Sequence, residues 1–275
     1  MVTTFTREEI LERLNQTIAD GKPILGAGCS AGIIAKCAQL GGADLILVYS
    51  TGVSRLKGLP TSRMGDNNGL TLEMAPEILW AAQETPVIAG CEANDPFRMD
   101  QERLLDKFVD AGFHGIIPFP TVTMYDDYRR LRDLVGMGFE REVELARRAR
   151  ERGILSVVYA HHPEDAARMV EAGADVVIAH AGPTRGGLVG YDFEGTMSAA
   201  AKHVQETIVA SKAVNPDVIC LAHGGPFGTP KDTEYLYEHT DAAGFVGASS
   251  IERIPVEKAV RQVVEDFKNV QMKKR

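Results

Sequence analysis

The 275-residue sequence has few cysteines, no long hydrophobic run and no excess of positive charge. Its four cysteines, Cys29, Cys37, Cys91 and Cys220, are scattered singly and form no C-x-x-C motif. This usage excludes a disulfide-rich secreted scaffold and predicts a reducing, cytoplasmic location. Because no stretch of about 18 apolar residues occurs, we expect neither a membrane span nor a signal peptide.

The charge balance is acidic, with 30 Lys and Arg residues against 38 Asp and Glu residues and a formal net charge of −8. Nucleic-acid binding normally requires clustered basic residues that replace phosphate counterions. We therefore expect no nucleic-acid partner and look instead for a small-molecule site.

Strand-like and helical patterns alternate along the chain. Thr6 to Glu9 matches a capping box, and Ile10, Leu14 and Ile18 then recur at helical spacing, which predicts an N-terminal helix. Eight apolar runs follow, separated by amphipathic segments: Ile24 to Cys29, Asp44 to Ser50, Pro86 to Cys91, Gly115 to Phe119, Leu155 to Ala160, Ala174 to His180, Asp217 to Ala222 and Gly244 to Ala248. Eight such cycles in this length favour one (β/α)8 TIM-barrel domain over residues 1–275, with an extra N-terminal helix.

Glycine-containing turns and long connections organise the repeat. Gly112 and Gly173 precede predicted strands and Gly244 begins one, and all three are predicted to end the helix before that strand. The longest connections follow strands two, four and six, as Thr51 to Asn68, Pro120 to Gly138 and Ala181 to Thr196. All three leave carboxyl ends of strands, where barrel enzymes build their sites.

Polar residues at several strand ends are candidate catalytic groups, because inward-facing positions at the carboxyl ends converge on the barrel mouth. Adjacent His161 and His162 cannot both face inward from a regular strand, so we expect one of them at the surface. The catalytic candidates are Tyr159, His161, His180, His223 and Glu252.

Glu92 and Asp95 follow strand three and are candidate ligands of a hard cation such as Mg²⁺, which prefers carboxylate oxygens. The alternative is a structural role in which Asp95, before Pro96, caps the next helix. The residue pattern leaves both possibilities open.

Glycine-rich loops and arginines are candidate groups for an anionic substrate. Loops after strands seven and eight commonly bind phosphate in barrels, and the first loop also offers glycines and a hydroxyl group. The substrate-binding candidates from these patterns are Gly28, Gly224, Gly225, Ser249, Ser250, Arg55, Arg185 and Arg253.

Seven phrases together resemble the phosphoenolpyruvate hydrolase-like TIM-barrel family: GAGCSAG at 26, DLILVYSTG at 44, AGCEANDPF at 89, FPTV at 119, GADVVIAHAGPTRGG at 173, HGGPFGTPKD at 223 and GFVGASSIERIPVEKAV at 244. The resemblance runs from about Thr6 to Phe267. That family is similar in fold to the phosphoenolpyruvate mutase and isocitrate lyase superfamily, whose members use Mg²⁺ to stabilise a pyruvate-like enolate.

The resemblance implies that Ser50, Thr51 and Gly52 bind a 2-oxo acid, that Glu92 or Asp95 holds the metal, and that the protein forms a homo-oligomer. Two departures are visible: Glu-x-x-Asp replaces the superfamily's usual Asp-x-Asp, and FPTVTMYDDYRR replaces the lyase loop after strand four. The isocitrate lyase reaction itself is therefore not expected.

Three functions remain open at this stage. The leading hypothesis is a metal-assisted hydrolase or lyase that acts on a small 2-oxo acid or enol phosphate through an enolate. The second is a histidine-centred metal enzyme of oxygenase or ring-cleavage type, with His161, His180 and His223 as ligands beside Glu92. The third is a barrel that senses or signals by binding a ligand without turnover.

Overall fold

Eight parallel strands form a closed barrel in this computed structural model, which describes residues 4–192 and 195–273. Neighbouring strands follow chain order, and the last strand pairs with the first. Each strand end lies within two residues of its predicted position, so the (β/α)8 prediction is confirmed. The strands are β1 (Ile24–Gly28), β2 (Leu45–Val48), β3 (Val87–Gly90), β4 (Gly115–Ile117), β5 (Leu155–Ala160), β6 (Val176–His180), β7 (Ile219–His223) and β8 (Gly244–Gly247).

Helices surround the barrel and also enter two of its long loops. The helices are α1 (Arg7–Ala19), α2 (Gly32–Leu40), α3 (Thr51–Leu56), α4 (Asn67–Ala81), α5 (Gln101–Asp110), α6 (Asp126–Leu134), α7 (Phe139–Glu151), α8 (Pro163–Glu171), α9 (Met197–Val214), α10 (Pro230–His239) and α11 (Arg253–Lys268). The short helices α3 and α6 belong to the connections after β2 and β4. The third long connection, after β6, is present as predicted, and its residues 193–194 lie outside the described part of the chain.

Helix α1 closes the amino-terminal end of the barrel. The predicted capping box is confirmed, because the Thr6 hydroxyl accepts from the Glu9 amide and the Glu9 carboxylate accepts from the Thr6 amide. Ile10 and Leu14 then pack into the same cluster as the inward side chains of the strands, including Ile24. With this end sealed, the opposite end is the open mouth.

Side chains alternate along the strands between the barrel interior and the helix layer. In β5, Val157 and Tyr159 pack into the barrel interior, whereas Val158 and Ala160 pack against the helices. This period of two places Tyr159, and in the same way His180 and His223, at the inner rim of the mouth.

Two of the three predicted helix-ending glycines are confirmed. Gly112 and Gly173 have φ angles of 95° and 98°, which L side chains rarely adopt. Gly244 was interpreted wrongly, because α10 already ends at His239. Gly244 begins β8, where an added Cβ would lie 2.1 Å from the carbonyl oxygen of Ile24, so close strand packing requires this glycine.

Helix α11 projects away from the barrel after its first turn. Glu257 still accepts from the Leu188 amide, but residues 258–268 are all exposed, including Val260 and Phe267 at 58% and 76%. No helix in the described residues is long and apolar enough to cross a membrane. All four cysteines are free thiols.

Candidate active site at the barrel mouth

A cavity of about 550 Å³ opens at the carboxyl ends of the strands. Loops after β2, β4, β6 and β8 form its walls, in agreement with the prediction that the long connections build the site. Inward residues of the strands and the positions just after them form its floor: Tyr49, Phe119, Tyr159, His180, His223 and Ala248.

The floor is a continuous layer of aromatic rings. The ring centroid of Tyr159 lies 5.3 Å from that of His180 and 5.2 Å from that of His223, and the two histidine centroids are 4.7 Å apart. The Tyr159 hydroxyl is 3.3 Å from the hydroxyl of Tyr49. Because burial raises the pKa of Tyr159, its phenol stays protonated at neutral pH and can serve as a hydrogen-bonding group.

His180 and His223 are neutral and have opposite tautomers. Burial lowers the pKa of His223 to about 4 and that of His180 well below its usual value. His223 Nδ1 lies 2.7 Å from the Val246 carbonyl oxygen, which can only accept, so Nδ1 carries the proton and Nε2 has a free lone pair. The Gly182 amide donates to His180 Nδ1 at 3.1 Å, so in this ring Nε2 carries the proton. The pair therefore offers one proton acceptor and one hydrogen-bond donor.

His161 supports the floor from outside the cavity lining. Its ring centroid lies 4.2 Å from that of His180, and its Nδ1 is 2.9 Å from the Thr123 hydroxyl. Burial lowers its pKa to about 3. His162 instead lies near the surface, 3.5 Å from Asp126, so the prediction that only one of the two histidines faces inward is confirmed.

One side of the cavity contains buried donors without hydrogen-bond partners among the described residues. Thr51, Arg55 and Arg253 all line the cavity, and the unpartnered atoms are Thr51 Oγ1, Arg55 Nη2 and Arg253 Nε. Arg55 Nη2 is 2.8 Å from a carboxylate oxygen of Glu252, but it lacks the alignment of a hydrogen bond. Ser249 adds a hydroxyl to the same cavity. Such unsatisfied donors favour an anionic ligand at this side.

Glu252 lies behind Arg55 and does not line the cavity, contrary to its prediction as a catalytic group. Its carboxylate accepts from Arg55 Nε at 2.8 Å and from the Ser30 amide at 2.6 Å. It is fully buried. The side chain therefore orients Arg55, and a strand-end position alone could not distinguish that role from contact with substrate.

Arg253 is held in the same manner. Its Nη1 donates to Glu257 at 2.6 Å and its Nη2 donates to the Gly186 carbonyl at 2.9 Å. Both guanidinium groups are thus fixed by part of their five N–H donors and keep others that no described residue accepts, an arrangement suited to carboxylate or phosphate oxygens.

Several predicted substrate-binding glycines serve close packing instead. An added Cβ at Gly52 would lie 1.4 Å from Ser30 Oγ, and one at Gly28 would lie 2.9 Å from the Cβ of Ala248. Gly224 and Gly225 pack against the loop after β6, where their added Cβ atoms would be 2.1 Å and 2.5 Å from carbonyl oxygens. These residues let the walls approach one another, and they do not line the cavity.

Three further candidates also lie away from the cavity lining. The Ser50 hydroxyl donates to Asn67 at 2.6 Å. Arg185 is exposed to solvent. Ser250 follows Ser249 but turns its hydroxyl toward the backbone of Gly247. Of the predicted anion-binding side chains, the structure therefore brings Thr51, Arg55, Ser249 and Arg253 together.

The GCSAG phrase contains a G-x-S-x-G pattern between β1 and α2, a setting that resembles a serine nucleophile on a strand-to-helix turn. The Ser30 hydroxyl, however, donates to Glu252 at 3.3 Å rather than to a histidine. Ser30 consequently belongs to the group of residues that positions Arg55.

Glu92 and Asp95 differ in their ability to hold a cation. Both oxygens of Asp95 are engaged, one by the Phe97 amide and the other by Asn68 and Arg98, and its pKa is lowered even though burial alone would raise it. Glu92 accepts from Asn67 at 2.9 Å through Oε2, but Oε1 has only a 3.5 Å contact with Arg63. Burial raises the pKa of Glu92. Of the two predicted ligands, only Glu92 therefore keeps a carboxylate oxygen for a cation, and no group of three His, Cys, Asp or Glu side chains surrounds it in the described part of the chain. Asp95 holds the turn at Phe97, and its predicted alternative as a helix cap is wrong, because Asp100 caps α5.

A histidine-ligated metal centre is not formed by this arrangement. Across residues 4–192 and 195–273, no three His, Cys, Asp or Glu side chains are grouped so that they could hold one metal ion. The ring of His180 contacts those of His161 and His223, and the hydrogen-bond partners of the three histidines are Thr123, Gly182 and Val246.

Loop residues that the sequence analysis missed complete the cavity. Arg63, Tyr125, Tyr128 and Tyr191 line it from the connections after β2, β4 and β6. Arg63 donates to the Tyr128 hydroxyl at 2.8 Å and lies 5.0 Å from the centre of that ring. The sequence feature that could have identified Tyr125 and Tyr128 is the tyrosine-rich segment MYDDY at 124–128, which lies in a loop already predicted to build the site.

The fold and the site define a (β/α)8 barrel with a cavity at the carboxyl ends of its strands, the usual catalytic face. A model of the family described as "Phosphoenolpyruvate hydrolase-like" matches residues 9–270, and the chain belongs to this family. It is 40% identical over 272 residues to the tomato (Solanum lycopersicum) protein "ToMV susceptible protein tm-1(GCR26)", covering 96% of this chain and 36% of that protein. The chain spans 36–44% of the length of the curated relatives that it matches.

Solved structures support the fold. A phosphonopyruvate hydrolase in complex with oxalate and Mg²⁺ has a TM-score of 0.61 and 18% identity, covering 96% of this chain and 87% of that one. A 2,3-dimethylmalate lyase, described as a member of the phosphoenolpyruvate mutase and isocitrate lyase superfamily, also has a TM-score of 0.61 and 18% identity, covering 98% and 85%. The predicted similarity in fold to that superfamily is confirmed.

Proposed function

We propose that the protein is a hydrolase or lyase that binds a 2-oxo acid or enol phosphate and stabilises an enolate. The observation that carries this proposal is the meeting of buried, unpartnered donors with two neutral histidines of opposite tautomer in one cavity. Membership of a family described as phosphoenolpyruvate hydrolase-like also supports this proposal.

The anionic group of the substrate would bind at Arg55 and Arg253, with the hydroxyls of Thr51 and Ser249 beside it. Fixed guanidinium groups in a buried site cost little reorganisation when they meet developing negative charge. His223 Nε2 would accept a proton, because it carries the free lone pair. His180 Nε2–H would donate a hydrogen bond to the oxygen on which enolate charge develops.

For an enol phosphate, the proposed hydrolysis is balanced without a further reactant. The oxygen of a water molecule forms a bond to phosphorus, the bond between phosphorus and the enol oxygen breaks, and His223 takes the proton of the water. The enolate then receives a proton on carbon and becomes the 2-oxo acid, while phosphate leaves. For a lyase reaction on a hydroxy acid, His223 would instead take the proton of the hydroxyl, a carbonyl would form as the adjacent carbon–carbon bond breaks, and the released enolate would receive that proton on carbon.

We also propose that Mg²⁺ binds at Glu92, whose Oε1 lacks a close partner. Glu92 does not line the cavity itself but contacts Arg63, which does, so a cation in the place of the Arg63 guanidinium would neutralise oxygens of the substrate. Arg63 must move away from Glu92 for this to occur. Substitution Glu92→Gln should abolish Mg²⁺ binding measured by calorimetry, whereas Asp95→Asn should retain it; the reverse result would move the metal to Asp95.

We propose a homodimer in which a second copy covers the exposed part of α11. An isolated helix of this length is marginal in water, and Val260, Val263, Val264 and Phe267 are exposed on it. A two-fold axis would supply an identical apolar surface from the partner.

The four free thiols also favour our proposal of a reducing, cytoplasmic location.

The catalytic proposal is tested by measuring pyruvate and phosphate release from phosphoenolpyruvate and phosphonopyruvate, and cleavage of larger 2-oxo acids, with and without Mg²⁺. His223→Gln should lower kcat by at least about a hundredfold, the usual contribution of a general base. His239→Gln on α10 is the matched control. Full activity of both His180→Gln and His223→Gln would refute the assignment.

Binding without turnover is the second candidate function, favoured by the name of the tomato relative, which describes a virus-response phenotype rather than a reaction. The same cavity would then act as a sensor. Saturable binding of phosphoenolpyruvate or pyruvate without any product after prolonged incubation would select this candidate over the enzyme.

A further inference from the structure

The cavity is larger than the acids considered so far. At roughly 30 Å³ per non-hydrogen atom, the share of a water molecule in the liquid, a pyruvate-sized acid fills about 200 Å³ and a phosphoenolpyruvate-sized acid about 300 Å³. The cavity measures about 550 Å³. Cavities of this size usually hold a ligand with a substantial apolar body.

The unfilled part is bounded by the rim, which we define as Met124, Tyr125, Tyr128, Val189 and Tyr191. These residues come from the loops after β4 and β6, above the aromatic floor. Asp127 and Thr184 of the same loops also line the cavity, but the five rim residues present rings and aliphatic groups apart from their polar tips. The rim is therefore chemically distinct from the side that contains Arg55 and Arg253.

Two rings of the rim are held in place before any ligand binds. The Tyr191 hydroxyl donates to the Thr61 carbonyl at 2.7 Å, and the Tyr128 hydroxyl accepts from Arg63 at 2.8 Å. Tyr125, by contrast, is 59% exposed at the start of α6. Fixed tyrosines offer large contact areas at low entropic cost, which is why they recur in binding surfaces.

We infer that the ligand is an anionic acid with an aryl group, the anion lying at Arg55 and Arg253 and the ring lying against the rim. This inference rests on the proposed function for the position of the anion, and it adds the substrate class. Planar rings match the rim because each aromatic pair gains about two- to tenfold in affinity beyond the area that it buries.

The test uses matched pairs that differ by one phenyl group: pyruvate against phenylpyruvate, and phosphate against phenyl phosphate, each measured by calorimetry with the full chain. In the wild type, we expect at least one phenyl-bearing member to bind tenfold or more tightly than its partner. The double variant Tyr128→Ala with Tyr191→Ala, which removes both fixed rings of the rim, should remove most of this difference without changing the affinity for pyruvate or phosphate. Phe97→Ala, which removes a ring that is 90% exposed outside the cavity lining, is the control.

Each outcome separates the two proposals. Equal affinity within both pairs would overturn the aryl inference and leave the anion site standing. An aryl preference that persists in the double variant without Tyr128 and Tyr191 would overturn the assignment of the ring to the rim. Affinities for pyruvate and phosphate that are unaffected by Arg253→Gln would overturn the anion position of the proposed function, with Arg103→Gln on α5 as its control. Absence of binding by all four probes would overturn both.

Discussion

Replacement of Glu252 by Gln should strongly destabilise the protein, because it leaves Arg55 as a buried charge without compensation. The side chains of Arg55 and Glu252 are 1% and 0% exposed, and Nε and Nη2 both lie 2.8 Å from the same carboxylate oxygen. Breaking such a pair from one side costs about 3–5 kcal/mol. At about 2–4 °C per kcal/mol for a protein of this size class, the melting temperature should fall by roughly 6–20 °C.

The same variant should respond unusually strongly to anions. In Glu252→Gln, phosphate bound beside Arg55 would supply the missing negative charge, so it should raise the melting temperature more than it does in the wild type. The double variant Arg55→Met with Glu252→Gln removes both charges and keeps an acceptor for the Ser30 amide. It should be more stable than Glu252→Gln and insensitive to phosphate at this position.

The assay is thermal unfolding followed by circular dichroism, with urea titrations to obtain the free energy of unfolding. A loss below about 1 kcal/mol, the value typical of an exposed ion pair, would refute the buried-pair argument. Equal stabilisation of wild type and Glu252→Gln by phosphate would refute the placement of the anion beside Arg55.

Three further predictions concern pH and assembly. Burial raises the pKa of Glu142 to about 7, so the folded protein keeps a proton that the unfolded chain releases near pH 4.5, and the free energy of unfolding falls as the pH rises between these values. In urea titrations, the free energy of unfolding of Glu142→Gln should therefore fall less than that of the wild type between pH 5 and 8. His223 has the opposite effect on the pH dependence of stability: its pKa is lowered to about 4, so on acidification the unfolded chain binds a proton near pH 6.5 that the folded protein does not bind, and the folded protein loses stability. The melting temperature of His223→Gln should therefore decline less than that of the wild type from pH 7 to 4. Val260→Glu should convert the proposed dimer to monomer in light scattering, while Gln262→Glu should not, and a monomeric wild type would contradict the role of α11.

The sequence predicted the barrel because hydrophobic periodicity and helix-ending glycines report local structure directly. It also predicted that Tyr159, His180 and His223 meet, since the period of two in a strand fixes which side chains face inward. Loop side chains such as Tyr125 and Tyr191 were missed, because no periodicity fixes the direction of a long connection. That residues 1–275 form a single domain remains a prediction.

The limits of sequence-based inference are clearest for buried charges. Glu252 and Arg253 are adjacent, yet the carboxylate faces away from the cavity and the guanidinium lines it. The hydrogen-bond partners determine which way each side chain points. Glu252 accepts from Arg55 and from the Ser30 amide, both distant in sequence, while Arg253 donates to Glu257 one helical turn away. The sequence identifies such residues as candidates, and long-range contacts determine which of them can touch a ligand.

The charge balance of the site indicates how a ligand would be accommodated. Arg55 is already paired with Glu252 and Arg253 with Glu257, so a bound dianion would bring uncompensated negative charge into a buried cavity. Either Mg²⁺ enters at Glu92 or a floor histidine takes up a proton. Calorimetry of oxalate binding at pH 6 separates these outcomes, because repeating the titration in buffers of different ionisation enthalpy gives the number of protons taken up on binding. If protons are taken up in the absence of Mg²⁺ and this uptake disappears in His223→Gln, the histidine compensates the charge of the ligand. Binding that requires Mg²⁺ and involves no proton uptake assigns it to the cation, whereas tight binding with neither would show that the paired arginines alone hold the anion.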